Sequence, residues 1–154
     1  MRRPSALLAM IPRVKRISTT IVVLCVAGIA VSLLSLQHHY ASSKSSYCDF
    51  GANFNCDMVN RSIYSEVFGV PVGLIGALGY STLLLLTSLR RKKQQMPFVL
   101  FATSLAGVAF ALYLTYVEGF VLGVWCVLCL SSMGLILAIA ALSGLLMWYS
   151  KVRT

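Results

Sequence analysis

Four uncharged, apolar stretches constrain the fold of this chain more than any other feature. They cover residues of about 17–36, 71–89, 97–117 and 125–149, and each is close to the roughly 20 residues that a helix needs to cross a bilayer. Of the 154 residues, 58% are hydrophobic and only 11% are charged, whereas a soluble domain carries about 25% charged residues. The sequence therefore predicts an all-α fold, an integral-membrane four-helix bundle that forms a single domain over residues 1–154.

The basic residues predict how the bundle is oriented. Of the 13 Lys and Arg residues, all but Lys44 and Arg61 lie before the first stretch, between the second and third, or after the fourth. Cytoplasmic segments carry such an excess, so both termini are predicted to be cytoplasmic, and the loop 37–70 and the turn 118–124 to lie outside. This topology accounts for the net charge of +9, and we expect no nucleic-acid partner because no basic face is interleaved with aromatic residues.

The first two stretches carry further signals. A basic flank before an apolar stretch is also typical of a cleaved signal peptide. Residues 17–36 are longer than a usual signal core and lack a clear small-x-small cleavage site, so we expect a retained helix. In the second stretch Gly73, Gly76 and Gly79 recur at every third residue, which predicts a close contact with another helix.

The polar loop 37–70 holds two cysteines, Cys48 and Cys56. After them, apolar residues recur at helical spacing and predict a short half-helix that lies at the membrane interface with its apolar face toward lipid or the bundle. Asp57 is placed to cap the N-terminus of this half-helix. The apolar positions are Val59, Ile63, Tyr64, Val67 and Phe68.

A second cysteine pair, Cys126 and Cys129, opens the fourth stretch as a C-x-x-C motif. Unpaired N–H groups and the dipole at a helix N-terminus stabilise a thiolate, so such cysteines are reactive. Residues three apart share one helical face, so the two thiols can close a labile disulfide. We expect Cys126 to be the more exposed, and Cys129 to lie about one turn deeper, within reach of a quinone ring.

Both pairs fall on the predicted outer side, where disulfides persist. Two dithiols on one face predict a relay, in which a thiolate of the mobile pair Cys48 and Cys56 attacks a disulfide of the fixed pair Cys126 and Cys129. Cys25 lies in the middle of the first stretch, and we expect it to be an inert apolar residue.

Two alternatives compete with the relay. Cys48 and Cys56 can form a purely structural disulfide in a four-helix binding or transport protein. Transport, however, favours an ionisable residue within a span, and Glu66 and Glu118 both fall at boundaries. Four cysteines can also bind zinc, but the spacing of the loop pair is wide and an oxidising compartment disfavours free thiolates, so we expect no metal.

These motifs together resemble the vitamin K epoxide reductase family in its bacterial form, from the first stretch through the fourth. The resemblance implies a four-helix membrane bundle around a quinone, with the half-helix as a lid. It also implies that two electrons pass from a thioredoxin-like protein to the quinone. The matching residues are Cys48-x7-Cys56, Asn60-Arg61-Ser62, Val67-Phe68-Gly69-Val70-Pro71 and Cys126-Val127-Leu128-Cys129.

The resemblance also implies roles for individual residues. Cys126 and Cys129 match the active-site pair, with Cys129 nearest the quinone, and Cys48 and Cys56 match the shuttle pair. Ser62 matches a hydroxyl residue that hydrogen-bonds a ring oxygen of the quinone.

The chain departs from relatives that carry a fused thioredoxin-like domain, so its partner is expected to be a separate, DsbA-like protein in the periplasm. Epoxide-reducing animal enzymes carry a tyrosine four residues after the second C-x-x-C cysteine, where this chain has Met133. We therefore expect a thiol:quinone oxidoreductase of the bacterial inner membrane that supports disulfide formation. Its quinone would be of the ubiquinone, menaquinone or vitamin K type. The alternative within the family is a vitamin K quinone or epoxide reductase.

Overall fold

The structure is a computed structural model that describes residues 4–40, 54–89 and 96–153. Four long helices dominate these residues, and each is long and apolar enough to cross a membrane. A fifth, short helix lies between the first two long ones. In chain order the helices are α1 Pro4–Tyr40, α2 Cys56–Asn60, α3 Val72–Leu89, α4 Met96–Tyr116 and α5 Val127–Arg153. The predicted all-α four-helix bundle is confirmed.

Apolar side chains from all four long helices fill the centre of the bundle. Helix α1 packs against α3 and α5, and α4 packs mainly against α5. Because lipid is as apolar as these side chains, close packing and hydrogen bonds rather than water exclusion hold the helices together. A buried pair of hydroxyls, Ser104 and Ser143, lies 3.0 Å apart between α4 and α5. The central cluster comprises Ile21, Cys25, Tyr80, Leu83, Leu100, Ile136, Ile139 and Leu146.

The glycines of α3 do not all serve the predicted helix contact. A Cβ atom on Gly73 would lie 2.9 Å from the backbone of α1, and one on Gly76 would lie 2.8 Å from the hydroxyl of Ser32. These two glycines therefore set how closely α1 and α3 approach. Around Gly79 a Cβ would meet nothing within 4 Å, and this residue lines an internal cavity instead.

The predicted half-helix exists but is shorter than the apolar spacing suggested. Helix α2 ends at Asn60, a single 3₁₀ turn follows at Ile63–Ser65, and strands β1 (Glu66–Val67) and β2 (Val70–Pro71) form a tight antiparallel hairpin. The prediction of one helix through Phe68 is therefore wrong. The two residues of the hairpin turn, Phe68 and Gly69, both have positive φ, 53° and 76°, as a type I′ hairpin turn requires.

The cap of α2 also differs from the prediction. Asn55, not Asp57, is the N-cap, and its side-chain oxygen accepts a hydrogen bond from the N–H of Met58 at 2.9 Å. Asp57 lies in the first turn, where its carboxylate contacts Nδ1 of His38 at 3.0 Å. An acid at this position still complements the positive end of the helix.

Helical geometry continues beyond the predicted end of the third span. A π-helical turn, Val117–Leu122, extends α4 and ends at Gly123, whose φ of 65° lies in the left-handed region. Only three residues separate this glycine from Val127, where α5 begins. The turn therefore brings Glu118 back over the start of α5. π-Helical turns inside α-helices often mark functional sites.

Candidate functional site

The C-x-x-C pair stands at the very start of α5, as predicted. Both sulfurs are free thiols, and Cys126 Sγ accepts a hydrogen bond from the backbone N–H of Cys129 at 3.4 Å. A hydrogen bond from the Cys129 side chain lowers the pKa of the Cys126 thiol, against the opposing effect of burial. Cys126 is therefore poised to act as a thiolate.

The relative exposure of the two thiols is the reverse of the expectation. Cys126 is fully buried and Cys129 is partly exposed. The reason is tertiary: α2 covers the N-terminal end of α5 and buries Cys126, whereas Cys129 faces an internal cavity of the bundle. The position of Cys126 at the start of the helix does not by itself predict that α2 buries it.

Backbone pairing places α2 against the C-x-x-C motif. Phe54 forms a parallel bridge with Trp125, and the N–H of Asn55 donates to the carbonyl of Trp125 at 3.1 Å. The following residue, Cys56, is buried in one cluster with Val59 and Cys126. Cys56 is disulfide-bonded, and Cys48 lies outside the described residues. The structure thus brings Cys56, Cys126 and Cys129 together at one end of the bundle.

Asn60 joins the two cysteine segments, and sequence reasoning gave it no role of its own. Its side-chain NH2 donates to the carbonyl of Cys56 at 2.9 Å and approaches Cys126 Sγ at 3.8 Å. Its side-chain oxygen accepts a hydrogen bond from the hydroxyl of Ser35. A signal was available, since Asn60 follows Cys56 by four residues and so lies on the same face of a helix.

The C-terminal end of α1 holds this assembly in place through Ser35, His38 and His39, which we call the α1 clamp. His38 contacts Asp57 at 3.0 Å, and Nδ1 of His39 lies 2.7 Å from the carbonyl oxygen of Asn60. His39 Nε2 also reaches the Glu66 carboxylate at 3.3 Å. These contacts fix α2 over Cys126.

A cavity of about 310 Å³ opens between the long helices directly below the thiols. Its wall is mostly apolar and includes Cys129, but not Cys126. Small residues, among them Gly76, Gly79 and Gly107, make room for it. A few hydroxyls supply polarity: the Tyr80 hydroxyl contacts Ser132 Oγ at 2.9 Å and donates to the Ser132 carbonyl at 2.8 Å. An apolar cavity with a few convergent polar groups is typical of a small-molecule site.

Ser62 does not line this cavity. It follows α2, and its hydroxyl donates to the carbonyl of Val59 at 2.8 Å. The structure therefore places Ser62 beside the loop that covers Cys126, and its contact with a quinone stays a prediction.

Glu118 is the second residue that sequence reasoning missed. It is 1% exposed, and its Oε2 accepts the N–H of Cys126 at 3.1 Å. One of its carboxylate oxygens and the sulfurs of Cys126 and Cys129 all lie within 4.8 Å of one another. Its signal was its isolation, since it is the sole acid in the sequence after Glu66.

The arrangement differs from the four-cysteine zinc site considered above. Cys56 is disulfide-bonded and cannot supply a thiolate in that state. Among the described residues only Cys126, Cys129 and Glu118 place three such donors together, one fewer than a closed structural zinc site uses.

Comparison with known proteins places this geometry in a family. The model of the vitamin K epoxide reductase family matches residues 19–144. The chain belongs to this family. It is similar to vitamin K epoxide reductase complex subunit 1 of Mus musculus, 30% identical over 137 residues that cover 78% of this chain and 84% of the mouse protein. It is also 30% identical to the subunit 1 of Rattus norvegicus over 126 residues, which cover 71% of this chain and 77% of the rat protein.

Membership of the vitamin K epoxide reductase family gives the site its general chemistry. Proteins of this family are membrane oxidoreductases of the quinone and epoxide reductase type. The four apolar helices fit an integral, multi-pass protein of the lipid bilayer, and the free dithiol beside a cavity fits a redox enzyme that acts on a quinone.

Proposed function

We propose that this chain is a thiol:quinone oxidoreductase that supports disulfide formation in other proteins. Electrons would pass from a separate thioredoxin-like, DsbA-like protein to Cys48 and Cys56, then to Cys126 and Cys129, and then to a bound quinone. One observation carries the proposal: Cys129 lines the cavity, while Cys126, three residues earlier, packs beside Cys56. The dithiol thus lies between the loop and the cavity.

The thiol steps proceed by exchange. A thiolate of the Cys48 and Cys56 pair attacks the disulfide between Cys126 and Cys129, and a mixed disulfide forms before the second loop thiolate resolves it. One disulfide is broken for each one formed. The covering of Cys126 by α2 keeps the two sulfurs of this exchange out of water. The α1 clamp restricts how far α2 can move away.

The cavity residues fit a quinone. A quinone supplies the capacity to accept two electrons and two protons, which matches the two electrons and two protons released when a dithiol closes to a disulfide. The apolar walls from α1, α3, α4 and α5 suit its ring and isoprenoid tail. Ser132 and Tyr80, which already share a hydrogen bond, would orient a ring oxygen. The type of quinone, ubiquinone, menaquinone or vitamin K, is not distinguished by these contacts.

The identity of residue 133 favours quinone over epoxide as substrate. The family resemblance associates epoxide reduction with a tyrosine at this position, which brings an acidic O–H. Here the thioether sulfur of Met133 accepts a hydrogen bond from Thr115 at 3.2 Å and has no proton to give. The two cysteine pairs would face the periplasm of a bacterial inner membrane, because the basic residues predict cytoplasmic termini.

The proposal is tested with the purified full-length protein in detergent, with dithiothreitol as reductant and a short-chain ubiquinone or menaquinone as acceptor. We expect dithiol-dependent loss of the quinone absorbance. The matched control is Cys25→Ala, which removes a buried thiol of the bundle core and should leave turnover unchanged. Absence of turnover with both quinones, in protein that stays folded, would contradict the proposed function.

The contacts of Asn60 yield a second prediction. Asn60→Leu keeps the branching at Cγ but removes the NH2 group that spans Cys56 and Cys126. We expect electron transfer from the loop pair to Cys126 to slow by roughly tenfold, because misplacement of reacting groups costs orientation. Oxidation of the pre-reduced dithiol by quinone should stay within about twofold, since this step lies on the far side of Cys126.

Two rapid-mixing experiments separate the two steps. In the first, a thioredoxin-like donor reduces the oxidised enzyme, which reports electron transfer through the loop pair. In the second, the reduced enzyme is mixed with quinone, which reports oxidation of the dithiol. Met58→Ala is the control, because Met58 also belongs to α2 but is 55% exposed. Equal slowing of both steps would show that Asn60 supports the fold rather than the exchange.

A further inference from the structure

The least explained group in the described residues is the carboxyl of Glu118. It is almost completely buried, and in the described part of the chain it has no Lys, Arg or His within ion-pair distance. Among the residues that the structure describes, its buried Oε1 has no hydrogen-bond partner. A buried polar atom without a partner costs stability, typically about 1–3 kcal/mol, so its retention calls for a physical reason.

A purely structural role accounts for only one of the two carboxyl oxygens. Oε2 accepts the N–H of Cys126 at 3.1 Å, which satisfies one of the unpaired donors at the start of α5. A glutamine or a serine oxygen serves that purpose equally well. The carboxyl also reaches the dithiol, since one of its oxygens and both sulfurs lie within 4.8 Å of one another.

We propose that Glu118 is the proton acceptor for the Cys126 and Cys129 dithiol, and so a catalytic residue. The inference deepens the proposed function, because it names the group that takes a thiol proton at the same site. The π-helical turn holds the carboxyl there, and Trp125 covers the turn, since a Cβ on the neighbouring Gly119 would lie 2.9 Å from the Trp125 ring. Water is thus kept away from the carboxyl group.

The proton balance of the reaction shows where such a group is needed. Closure of the dithiol breaks two S–H bonds, forms one S–S bond, and releases two electrons and two protons. Both electrons and both protons end on the quinone, which becomes hydroquinone. Glu118 takes one proton when a thiol becomes a thiolate and gives it up when the sulfurs have joined. During turnover this proton lies either on the carboxyl, as O–H, or on a sulfur, as S–H. In both states it can form a hydrogen bond between the two groups, and Oε1 then has a partner.

Glu118→Gln tests the proposal, because an amide oxygen still accepts the Cys126 N–H but cannot accept a proton to become neutral acid. The reduced full-length protein is mixed with a short-chain quinone and, separately, with diamide, which oxidises dithiols without entering a quinone site. We expect Glu118→Gln to slow both reactions by at least about 100-fold, the lower end of the contribution of general acid–base catalysis. Its thermal midpoint should remain close to that of the wild type.

The control is Ser131→Ala, an exposed position of α5 whose hydroxyl bonds to the carbonyl of Val127; its rates should equal those of the wild type. Unchanged rates in Glu118→Gln would overturn the role of Glu118. If the wild type oxidises with diamide but never with quinone, and the glutamine variant is slow with diamide, the proposed function fails while the role of Glu118 stands.

Two further measurements cover the remaining outcomes. Should Glu118→Gln not fold, the wild-type diamide reaction is measured in D2O, where a rate equal to that in H2O would overturn proton transfer as part of the step. Elemental analysis of the purified wild type covers the metal alternative, since stoichiometric zinc bound by these three residues would overturn it as well.

Discussion

Cys129→Ala is expected to lower quinone reduction by at least about a thousandfold, to the level of the uncatalysed reaction. Cys129 is the cysteine that lines the cavity, and without it the Cys126 thiol has no neighbour within the motif with which to close a disulfide. Loss of a nucleophile that forms a covalent intermediate is among the largest effects that single substitutions have on rate. The measurement is the quinone absorbance under dithiothreitol, with Cys25→Ala as the thiol control.

The same variant should trap the exchange partner of Cys126. We expect the Cys126 thiolate of this variant to attack the disulfide of the Cys48 and Cys56 pair at Cys56, with Cys48 leaving as a thiolate. Because no Cys129 thiol is present to displace Cys56 again, the mixed disulfide between Cys56 and Cys126 persists and is detected as a cross-linked peptide by mass spectrometry without reduction. We expect trapping in this variant to need a higher pH than the exchange in the wild type does. The hydrogen bond from Cys129 is the main cause that lowers the pKa of Cys126, so its removal raises that pKa and shrinks the thiolate fraction at neutral pH. Retained quinone turnover in Cys129→Ala would exclude Cys129 as the electron donor.

The sequence was sufficient for those features that the membrane itself dictates. Four apolar stretches must become helices because a bilayer offers backbone groups no other hydrogen-bond partners. The C-x-x-C pair begins α5 as expected, since the turn before it ends at Gly123, which adopts a positive φ. These are local or solvent-imposed constraints, and each can be recognised in a short window of sequence.

Features set by tertiary contacts were not predictable in this way. The apolar spacing from Val59 to Phe68 suits a helix, yet the chain forms a hairpin there, because Gly69 adopts a positive φ and Pro71 has no N–H to continue a helix. The burial of Cys126 depends on backbone pairing between Phe54 and Trp125, which are 71 positions apart in the sequence.

Glu118 shows the same limit for the site. An acid between two apolar stretches is ordinarily an exposed turn residue, and the sequence predicts a turn at residues 118–124. The π-helical extension of α4 instead buries it against the dithiol. A π-helical turn of six residues leaves no signature in the spacing of apolar residues. The burial of Glu118 beside the dithiol is therefore visible only in the structure.

Gly73→Val is expected to have the largest effect on the bundle itself. A Cβ at this position lies 2.9 Å from both the Leu36 nitrogen and the Ser32 carbonyl oxygen, and backbone atoms cannot rotate away as a side chain can. Helix α1 must therefore move away from α3. Overpacking typically costs about 1–3 kcal/mol, which the higher helix propensity of valine offsets by only a few tenths of a kcal/mol. The thermal midpoint in detergent should fall by several degrees.

The displacement should also reach the site, because the residues of the α1 clamp belong to α1. If α1 moves, Ser35 and His39 lose their hydrogen bonds to Asn60, and α2 is no longer held over Cys126. We therefore expect exchange between the loop cysteines and Cys126 to slow more than oxidation of the pre-reduced dithiol by diamide. Gly134→Val is the matched control, since a Cβ there meets nothing within 4 Å. If Gly73→Val has wild-type stability, α1 and α3 adjust to the larger residue without a cost in stability. If its exchange rate is also that of the wild type, the contacts between α1 and α2 do not govern access to Cys126.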